Sequence, residues 1–400
     1  MPQPPPVTWL EIDETALAHN IGVLRHASQQ GGRQPLLCVM VKGNGYGHGL
    51  LQASRAFLAA GVDWLGVHDI FEVQALREAG IAAPLYCVGY LSPDQAAVAV
   101  ACDVRLVLYD RDVLAALARA GQQQDKIVKV HVKVETGDNR QGLRHDDALE
   151  FANLIAQTPH VELEGMATHF ADIEDTTDHR FAQSQLARFR QTVDATRQLL
   201  NLPPEGHPDD KFLAHCSNSA ALLLWPEVCG NLARCGIAAY GLWPSKETWL
   251  SVCQLGKKPV ELRPALTWKT RLAQVREVPA GEYIGYGRTY RAVRNMLVGI
   301  LPVGYYDGYD RGLSNVGKVL LGGQRAPVVG RVAMNMTAID VTDSKNAKAG
   351  DEVVLIGAQD AADGREGDRI SAEEFANWFG TIHYEAVTRI AERLPRMGVT

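Results

Sequence analysis

The sequence predicts an α/β protein in which an N-terminal (β/α)8 barrel of the TIM type is followed by a C-terminal, mainly β domain. Its 400 residues are too many for one hydrophobic core, because cores stop growing near about 250–300 residues. From about residue 36 to residue 241, short β-rich runs alternate with longer helical stretches, which is typical of a barrel. Beyond about residue 260, β-rich segments follow one another between turn residues. We therefore expect a barrel domain over residues 1–250 and a β domain over residues 251–400.

The predicted barrel strands are eight apolar runs, each followed by a helical candidate except the last. Residues 71–79 and 112–120 are two of these helical candidates. The strands are expected at residues 36–41, 64–68, 85–88, 104–109, 127–134, 163–168, 212–215 and 232–240.

The predicted β domain consists of strand-like segments that Gly, Pro and Asp turns separate. One helix is expected at residues 372–379, with Ser371 as its N-cap. The junction between the two domains is expected within residues 245–263. The strand-like segments are residues 265–278, 296–303, 318–342 and 351–356.

The composition excludes several classes of protein. An apolar fraction of 46% and a charged fraction of 22% are ordinary for a soluble globular chain, and a net charge of −6 argues against nucleic-acid binding. No apolar run reaches the length of about 18 residues that a membrane span needs. The N-terminus lacks the basic and apolar stretches of a secretory signal, and seven cysteines without a C-x-x-C pair fit a reducing compartment. We therefore expect a cytoplasmic protein without a membrane partner or a metal site.

In a barrel of this kind the active site lies at the C-terminal ends of the strands, so residues that end or follow a strand are candidates. Lys42 directly follows the first strand, and the loops after the seventh and eighth strands commonly hold phosphate through backbone N–H groups and hydroxyls. A lysine at the mouth of a barrel that also binds phosphate suggests a Schiff base with a phosphorylated aldehyde. The other candidates at strand ends are His169, Asn218, Ser219, Arg234, Gly236 and Ile237.

A lysine at the end of a strand is often only a solvated surface charge, so the residues after Lys42 matter. The run from Lys42 to Gly49 reads Lys-Gly-Asn-Gly-Tyr-Gly-His-Gly, with four glycines at alternate positions. Such glycines indicate a backbone that closely approaches another group, whereas a flexible linker fits poorly directly after a strand.

The fifth predicted strand places three basic residues on one face, because Lys129, His131 and Lys133 alternate with valines. If the valines pack against the helices, the basic side chains point into the barrel, where a charge requires a partner. The alternative is a face at the surface of the barrel. Arg140 follows in the next loop and suits a carboxylate ligand, although an exposed loop arginine fits the sequence equally well.

Two Gly/Tyr clusters lie in the predicted β domain. Residues 283–290 include Tyr286, and residues 304–309 include Tyr305. The clusters fit turn glycines beside half-buried tyrosines on a sheet, and they fit phenols that act as general acids or bases.

The run from Lys42 to Gly49 resembles the pyridoxal-phosphate lysine motif of alanine racemases, Lys-Ala-Asn-Ala-Tyr-Gly-His-Gly. The resemblance extends over nearly the whole chain, from Leu10 to Arg396, and includes the order of the two domains. It implies an isomerase that depends on pyridoxal 5′-phosphate (PLP) and interconverts L-alanine and D-alanine by a two-base mechanism. It also implies D-alanine supply for peptidoglycan.

The same resemblance assigns roles to individual residues. It implies that Lys42 forms the Schiff base and is one catalytic base, and that Tyr286 is the other. Because this tyrosine comes from the partner subunit in the family, the resemblance implies a homodimer with shared active sites. Cofactor-binding roles are implied for Lys42, Tyr46, His169, Asn218, Ser219, Arg234, Gly236, Ile237 and Tyr384, and substrate-binding roles for Arg140, Met334 and Tyr305.

Three of these roles are more specific. The resemblance implies that Arg234 faces the pyridine nitrogen of the cofactor and that Arg140 bonds to its phenolate oxygen. It implies that the backbone N–H of Met334 binds the substrate carboxylate. Lys133 matches a lysine that is carbamylated in some members, which would give Arg140 an anionic partner.

Several positions depart from the family pattern and keep other substrates open. Asp138 and Asn139 replace Met-Gly before Arg140, and Asn335 replaces an aspartate. Glycines replace two alanines after Lys42, and a tyrosine replaces an alanine at position 306. A serine racemase or a broad-specificity amino-acid racemase is the alternative. More distant alternatives are a PLP-dependent amino-acid decarboxylase and a non-catalytic PLP-binding protein.

Overall fold

The structure is a computed structural model that describes residues 5–32, 34–344, 346–361 and 366–400. The chain divides into two units. The barrel unit takes the described residues within 16–42 and 53–264, and the β unit takes those within 1–15, 43–52 and 265–400. The units therefore interleave along the chain instead of meeting at one boundary near residue 250.

The barrel unit contains eight parallel strands, which confirms the fold class that the sequence predicts. After β1 (Thr8–Asp13), which belongs to the β unit, they follow as β2 to β9 and hydrogen-bond in the order β8-β7-β6-β5-β4-β3-β2-β9. Most of their residues are buried, as is typical of parallel strands that are covered on both faces. The strands are β2 (Leu36–Met40), β3 (Trp64–Val67), β4 (Leu85–Cys87), β5 (Val104–Leu108), β6 (Val128–Lys133), β7 (Val161–Ala167), β8 (Leu213–His215) and β9 (Leu232–Cys235).

A side chain joins the two end strands of this sheet. The Asn231 amide donates to the carbonyl of Phe212 at 2.8 Å, and it accepts from the N–H of Ala214 at 3.2 Å. Because these bonds connect the start of β9 to β8, they bring the last strand beside its neighbour and nearly close the barrel.

Two helices of the barrel unit begin at side-chain caps that lie two residues after the end of a strand. Asp69 accepts hydrogen bonds from the first turn of helix Ile70–Glu78, and Asp110 does the same for helix Arg111–Gln124. Such caps satisfy backbone donors that have no partner within the helix. The helices between β1 and β10 are Glu14–Gln29, Leu50–Ala59, Ile70–Glu78, Ala96–Ala101, Arg111–Gln124, His145–Ala156, Arg180–Leu199, Ser219–Leu224 and Lys246–Gln254.

The prediction for the end of the barrel was wrong in two respects. Strand β9 ends at Cys235, not at residue 240, because Gly236 turns the chain into the 3-10 helix Ile237–Tyr240. A helix, Lys246–Gln254, then follows with Ser245 as its N-cap, where the sequence predicted none.

The β unit contains three antiparallel arrangements, with one parallel pair in the largest. A seven-stranded sheet has the order β16-β15-β18-β10-β1-β20, with β19 paired to β18. A three-stranded sheet has the order β11-β14-β17, and β12 pairs with β13. The strands are β10 (Leu266–Arg271), β11 (Gln274–Val278), β12 (Tyr283–Ile284), β13 (Tyr290–Arg291), β14 (Met296–Leu301), β15 (Lys318–Leu321), β16 (Gln324–Pro327), β17 (Thr337–Asp340), β18 (Glu352–Gln359), β19 (Asp368–Ile370) and β20 (Arg396–Val399).

The first strand of the chain lies inside the large sheet of the β unit. Leu10 in β1 pairs with Trp268 of β10 on one side and with Arg396 of β20 on the other. Trp268 is fully buried and packs against Tyr309 and Phe375, with ring centroids 6.0 and 6.1 Å away. Phe375 lies in helix Ala372–Asn377, which Ser371 caps as predicted, and helix His383–Thr388 follows.

Candidate active site

Basic side chains gather where the barrel strands end. Lys42 follows β2, Lys133 is the last residue of β6, and Arg234 lies in β9. Burial holds the pKa of His169 well below its usual range, and these three charges and that of Arg140, in the loop after β6, add to the effect. The structure therefore brings these five sequence-predicted residues into one electrostatic cluster.

The pKa of Lys42 is lowered from its usual value. Burial is the main cause, and the charge of Arg140 adds to it, while Glu72 acts in the opposite direction. A lower pKa leaves more of the amine neutral, and the neutral amine is the nucleophilic form. Lys42 is thus suited to attack an aldehyde.

The pKa of Lys133 is lowered further than that of Lys42. Burial and the charges of Arg234 and Arg140 lower the pKa of Lys133 to about 7, against the opposing effect of Asp138 and Glu135. Its side chain lies among charges on the inside of the barrel, as the alternation of β6 predicts.

Arg140 already has an anionic neighbour. Its Nη2 atom lies 3.0 Å from Oδ2 of Asp138, in an ion pair whose arginine side chain is 63% exposed and whose aspartate side chain is 18% exposed. Asp138 is one of the positions where the sequence departs from the family pattern, so this ion pair follows from that departure.

Hydrogen bonds to Thr168 and His215 fix the guanidinium of Arg234. Its Nη2 donates to the carbonyl of Thr168 at 2.8 Å, and its Nη1 donates to the carbonyl of His215 at 3.0 Å. Nη1 also contacts Nδ1 of His215. Because Arg234 is buried, these acceptors compensate for the lost hydration of the guanidinium.

The ends of β8 and β9 present hydroxyl and N–H groups. The Ser219 hydroxyl accepts from the backbone N–H groups of Gly236 at 2.9 Å and Ala238 at 3.3 Å, and Ile237 lies buried between them. The side chain of Asn218 caps the following helix by accepting from Ala221 at 2.9 Å. Because its oxygen already accepts from two N–H groups, the Ser219 hydroxyl has its hydrogen left to donate, which suits an anionic ligand such as phosphate.

The glycine run after Lys42 forms a left-handed turn in the β unit. Gly43, Asn44, Gly45 and Tyr46 have φ values of 62°, 54°, 61° and 50°. A Cβ atom at Gly47 would lie 1.9 Å from the carbonyl oxygen of Val387, so glycine is required there.

Two further groups of the β unit lie at this turn. The ring of Tyr46 lies 6.3 Å from that of Tyr384, the second predicted tyrosine of the cofactor site. Nδ1 of His48 lies 2.9 Å from the carbonyl of Tyr46, and burial lowers the pKa of His48 to about 4.

The remaining predicted residues lie on the surface of the β unit. Tyr286 is 73% exposed and lines a cleft of about 450 Å³ together with Tyr283, Arg331 and Met336. The backbone of Tyr305 bonds to Ala333, and that of Tyr306 bonds to Met334, so the segments with Tyr305 and Met334 lie side by side. Both of these side chains are exposed.

Sequence reasoning missed two residues behind the site, His215 and Glu164. Both are buried in the barrel and bond to His131, which the sequence did single out. The available signal was the inward face of β6, because buried basic residues require acidic or neutral acceptors on neighbouring strands.

Neither a membrane-crossing helix nor a cluster of metal ligands occurs in the ranges that the structure describes. None of the helices among them is long and apolar enough to cross a bilayer. Nor do these ranges contain a group of three or more His, Cys, Asp and Glu side chains that could hold a metal ion.

Comparison with known proteins identifies the family. The model for the N-terminal domain of alanine racemase matches residues 12–244, and that for the C-terminal domain matches residues 265–398. The chain is 38% identical over 391 residues to an alanine racemase of Desulfovibrio desulfuricans, covering 98% of both chains. It is 40% identical over 390 residues to one of Symbiobacterium thermophilum, covering 97% of this chain and 96% of the relative.

Solved structures agree with the sequence relatives. Alanine racemase of Streptomyces lavendulae has a TM-score of 0.86 at 32% identity, over 100% of this chain and 98% of that one. Alanine racemase of Bacillus anthracis, solved with bound L-Ala-P, has a TM-score of 0.87 at 30% identity, over 100% and 96%. The chain therefore belongs to the alanine racemase family of isomerases.

Proposed function

We propose that the protein is a PLP-dependent alanine racemase that interconverts L-alanine and D-alanine with two bases. The observation that carries the proposal is the cluster at the barrel mouth, where Lys42 has a lowered pKa and, like Arg140, Lys133 and Arg234, acts on His169. A neutral amine can attack an aldehyde, and the cations around it favour anionic ligands. Family membership supports alanine as the substrate.

The donors of the barrel unit fit the cofactor. Lys42 supplies an amine for the aldehyde, and the Ser219 hydroxyl, whose oxygen accepts from the N–H of Gly236, supplies a hydrogen-bond donor for the phosphate. When bound, PLP supplies a π system that accepts the electrons left by the departing α-proton. The other residues proposed to hold it are Tyr46, His169, Asn218, Arg234, Ile237 and Tyr384.

Lys42 and Tyr286 divide the proton transfer between them. The lowered pKa of Lys42 leaves its amine able to take the α-proton on one face. The phenol of Tyr286 gives or takes the proton on the other face, and inversion at one carbon requires two opposed groups. Arg234 is proposed to face the pyridine nitrogen of bound PLP. An arginine there would keep its proton, so the cofactor would be a weaker electron sink and side reactions such as transamination would be limited.

Arg140, Met334 and Tyr305 are the proposed substrate-binding residues. The fork of Arg140 suits a carboxylate or a phenolate oxygen, and Asp138 lies against it. Lys133 is a proposed site of carbamylation, since its lowered pKa favours the neutral amine that reacts with CO2. A carbonyl signal on Lys133 after incubation with ¹³C-bicarbonate, detected by NMR, would demonstrate the modification, and a spectrum without it would leave Asp138 as the anion beside Arg140.

We propose that the working unit is a homodimer in which Tyr286 serves the site of the partner subunit. The wide exposure of Tyr286 in a single chain supports this arrangement, because a catalytic phenol requires a sheltered site. The proposed location is the cytoplasm, and the proposed role of the product D-alanine is in peptidoglycan supply.

The reaction is tested by incubating the purified protein and PLP with L-amino acids in deuterated water. We expect D-alanine with deuterium at the α-carbon, measured by chiral chromatography and mass spectrometry, and no reaction with Lys42→Ala. Comparable turnover of L-serine or larger amino acids would instead indicate a broad-specificity racemase. Release of CO2 without a D-amino acid would contradict the proposal in favour of a decarboxylase.

A further inference from the structure

Strand β6 places a basic residue at three levels of the barrel. Lys133 lies at the C-terminal end of the strand, and Lys129 lies near its N-terminal end with 38% of its side chain exposed. His131 lies between them and has no solvent exposure. A histidine at such a position must find its hydrogen-bond partners inside the protein.

Both ring nitrogens of His131 have partners on the next strands. Nδ1 lies 2.7 Å from Nε2 of His215 on β8, and Nε2 lies 3.1 Å from Oε2 of Glu164 on β7. The other nitrogen of His215 contacts Arg234. A continuous chain therefore runs through the barrel from Arg234 through His215 and His131 to Glu164, and all four residues are buried.

The donors in this chain determine where each proton lies. Arginine can only donate, so Nδ1 of His215 accepts and its Nε2 carries the hydrogen. Nδ1 of His131 must then accept from His215, and its Nε2–H donates to Glu164. Both imidazoles are neutral in this arrangement, in agreement with the lowered pKa values that burial gives His131 and His215.

The carboxylate at the far end is firmly ionised. Burial opposes its charge, but hydrogen bonds from His131 and Lys129 hold the pKa of Glu164 at about 2. Lys129 lies 2.9 Å from Oε1, and Arg105 lies 3.1 Å from Oε2. The ring of Tyr86 packs against both imidazoles, with centroids 5.0 and 5.4 Å away. Glu164 can therefore accept a hydrogen bond but cannot donate one.

We infer that His131 is a positioning residue: anchored by Glu164, it holds His215 in the tautomer whose Nδ1 accepts from Arg234, and so fixes the guanidinium at the barrel mouth. Without this anchor His215 can adopt the other tautomer, which points an N–H group at the N–H group of Arg234. The effect on catalysis rests on the function proposed above, whereas the tautomers can be measured independently of it.

The kinetic test compares His131→Leu with His131→Gln. Leucine cannot hydrogen-bond, whereas glutamine keeps one acceptor and one donor. We expect kcat to fall at least about tenfold in His131→Leu with little change in KM, because a buried bond is lost behind Arg234 and the proposed substrate carboxylate ligands are untouched. We expect His131→Gln to retain most of the wild-type kcat. His145→Gln, on an outer helix where Nδ1 lies 2.9 Å from the Thr192 hydroxyl, is the matched control and should match the wild type.

The spectroscopic test measures the tautomers in the holoenzyme. NMR of protein with ¹⁵N-labelled histidine should show His131 and His215 neutral, each with hydrogen on Nε2, from about pH 6 to about pH 8. The His131→Gln spectrum assigns the first signal and should leave the His215 tautomer unchanged.

Three results would overturn the inference. They are an Nδ1–H tautomer at His215, a charged His131 in this pH range, and equal kcat values for His131→Leu, His131→Gln and the wild type. If His131→Leu does not fold, the wild-type and His131→Gln spectra still test the inference, because they report the tautomers of the two histidines directly. A wild-type protein with these tautomers but no racemase activity would refute the proposed function and leave the arrangement of the chain intact.

Discussion

The two lysines near the barrel mouth have different acidic neighbours. Lys42 and Lys133 both have a lowered pKa because they are buried beside arginines, but different carboxylates offset the effect. Glu72 does so at Lys42, and Asp138 and Glu135 do so at Lys133. Tyr286 lies on the exposed surface of the β unit. The proposed bases thus have different surroundings, so their removal should have different consequences.

Tyr286→Phe should separate proton exchange from racemisation. We propose that Lys42 faces the α-proton of D-alanine and that Tyr286 faces that of L-alanine. The variant then still removes the proton of D-alanine, but nothing returns a proton on the opposite face. We expect D-alanine to exchange its α-proton for deuterium without inversion, and L-alanine neither to exchange nor to invert. Proton NMR in deuterated water, with chiral analysis of the same samples, measures both. Unchanged racemisation in both directions would contradict the two-base proposal.

Asp138→Asn should weaken the positioning of Arg140. The ion pair is partly exposed, so its loss should raise KM for alanine about two- to fivefold with a smaller change in kcat. The matched control is Asp178→Asn, because Asp178 and Arg180 form an exposed pair with the same spacing in sequence. If both variants behave alike in steady-state kinetics, Asp138 does not position Arg140.

At the scale of elements, the glycines of the left-handed turn after Lys42 differ in how much space a Cβ atom would have. Gly43 has a φ of 62° but only a Thr388 methyl 3.8 Å from a Cβ position, whereas a Cβ at Gly47 would meet the carbonyl of Val387. Gly43→Ala should therefore cost about 1–2 kcal/mol in the free energy of unfolding, and Gly47→Ala should cost about 3 kcal/mol or more. Urea denaturation measures both, and equal costs would mean that contact with Val387 does not matter.

At the scale of the whole molecule, the dimer proposal predicts complementation between inactive subunits. In a mixed dimer of Lys42→Ala and Tyr286→Phe, one site would combine an intact Lys42 with the intact Tyr286 of the partner subunit. Random mixing should therefore restore about a quarter of the wild-type activity, because half of the dimers are mixed and half of their sites are intact. Each variant dissociated and reassociated alone is the control. If the mixture stays inactive while mixed dimers form, the two groups belong to the same chain.

The sequence by itself determined what depends on local pattern. Apolar runs and the polar residues after them specify the barrel strands, the cap at Ser371 and the position of Lys42, because each is decided by neighbours in the chain. The run from Lys42 to Gly49 carries enough of the family motif to identify the family. The tyrosine clusters of the β domain showed only that phenols were available.

Only the tertiary structure decided which distant groups meet. The placement of β1 between β10 and β20, and of residues 43–52 in the β unit, depends on strand pairing and close packing over hundreds of residues. The partners of His131 come from β7 and β8, and no local pattern couples them. Alternation along β6 shows that three basic side chains share a face, but the lowered pKa values of His131 and Lys133 follow from the burial and charges that the barrel creates around them.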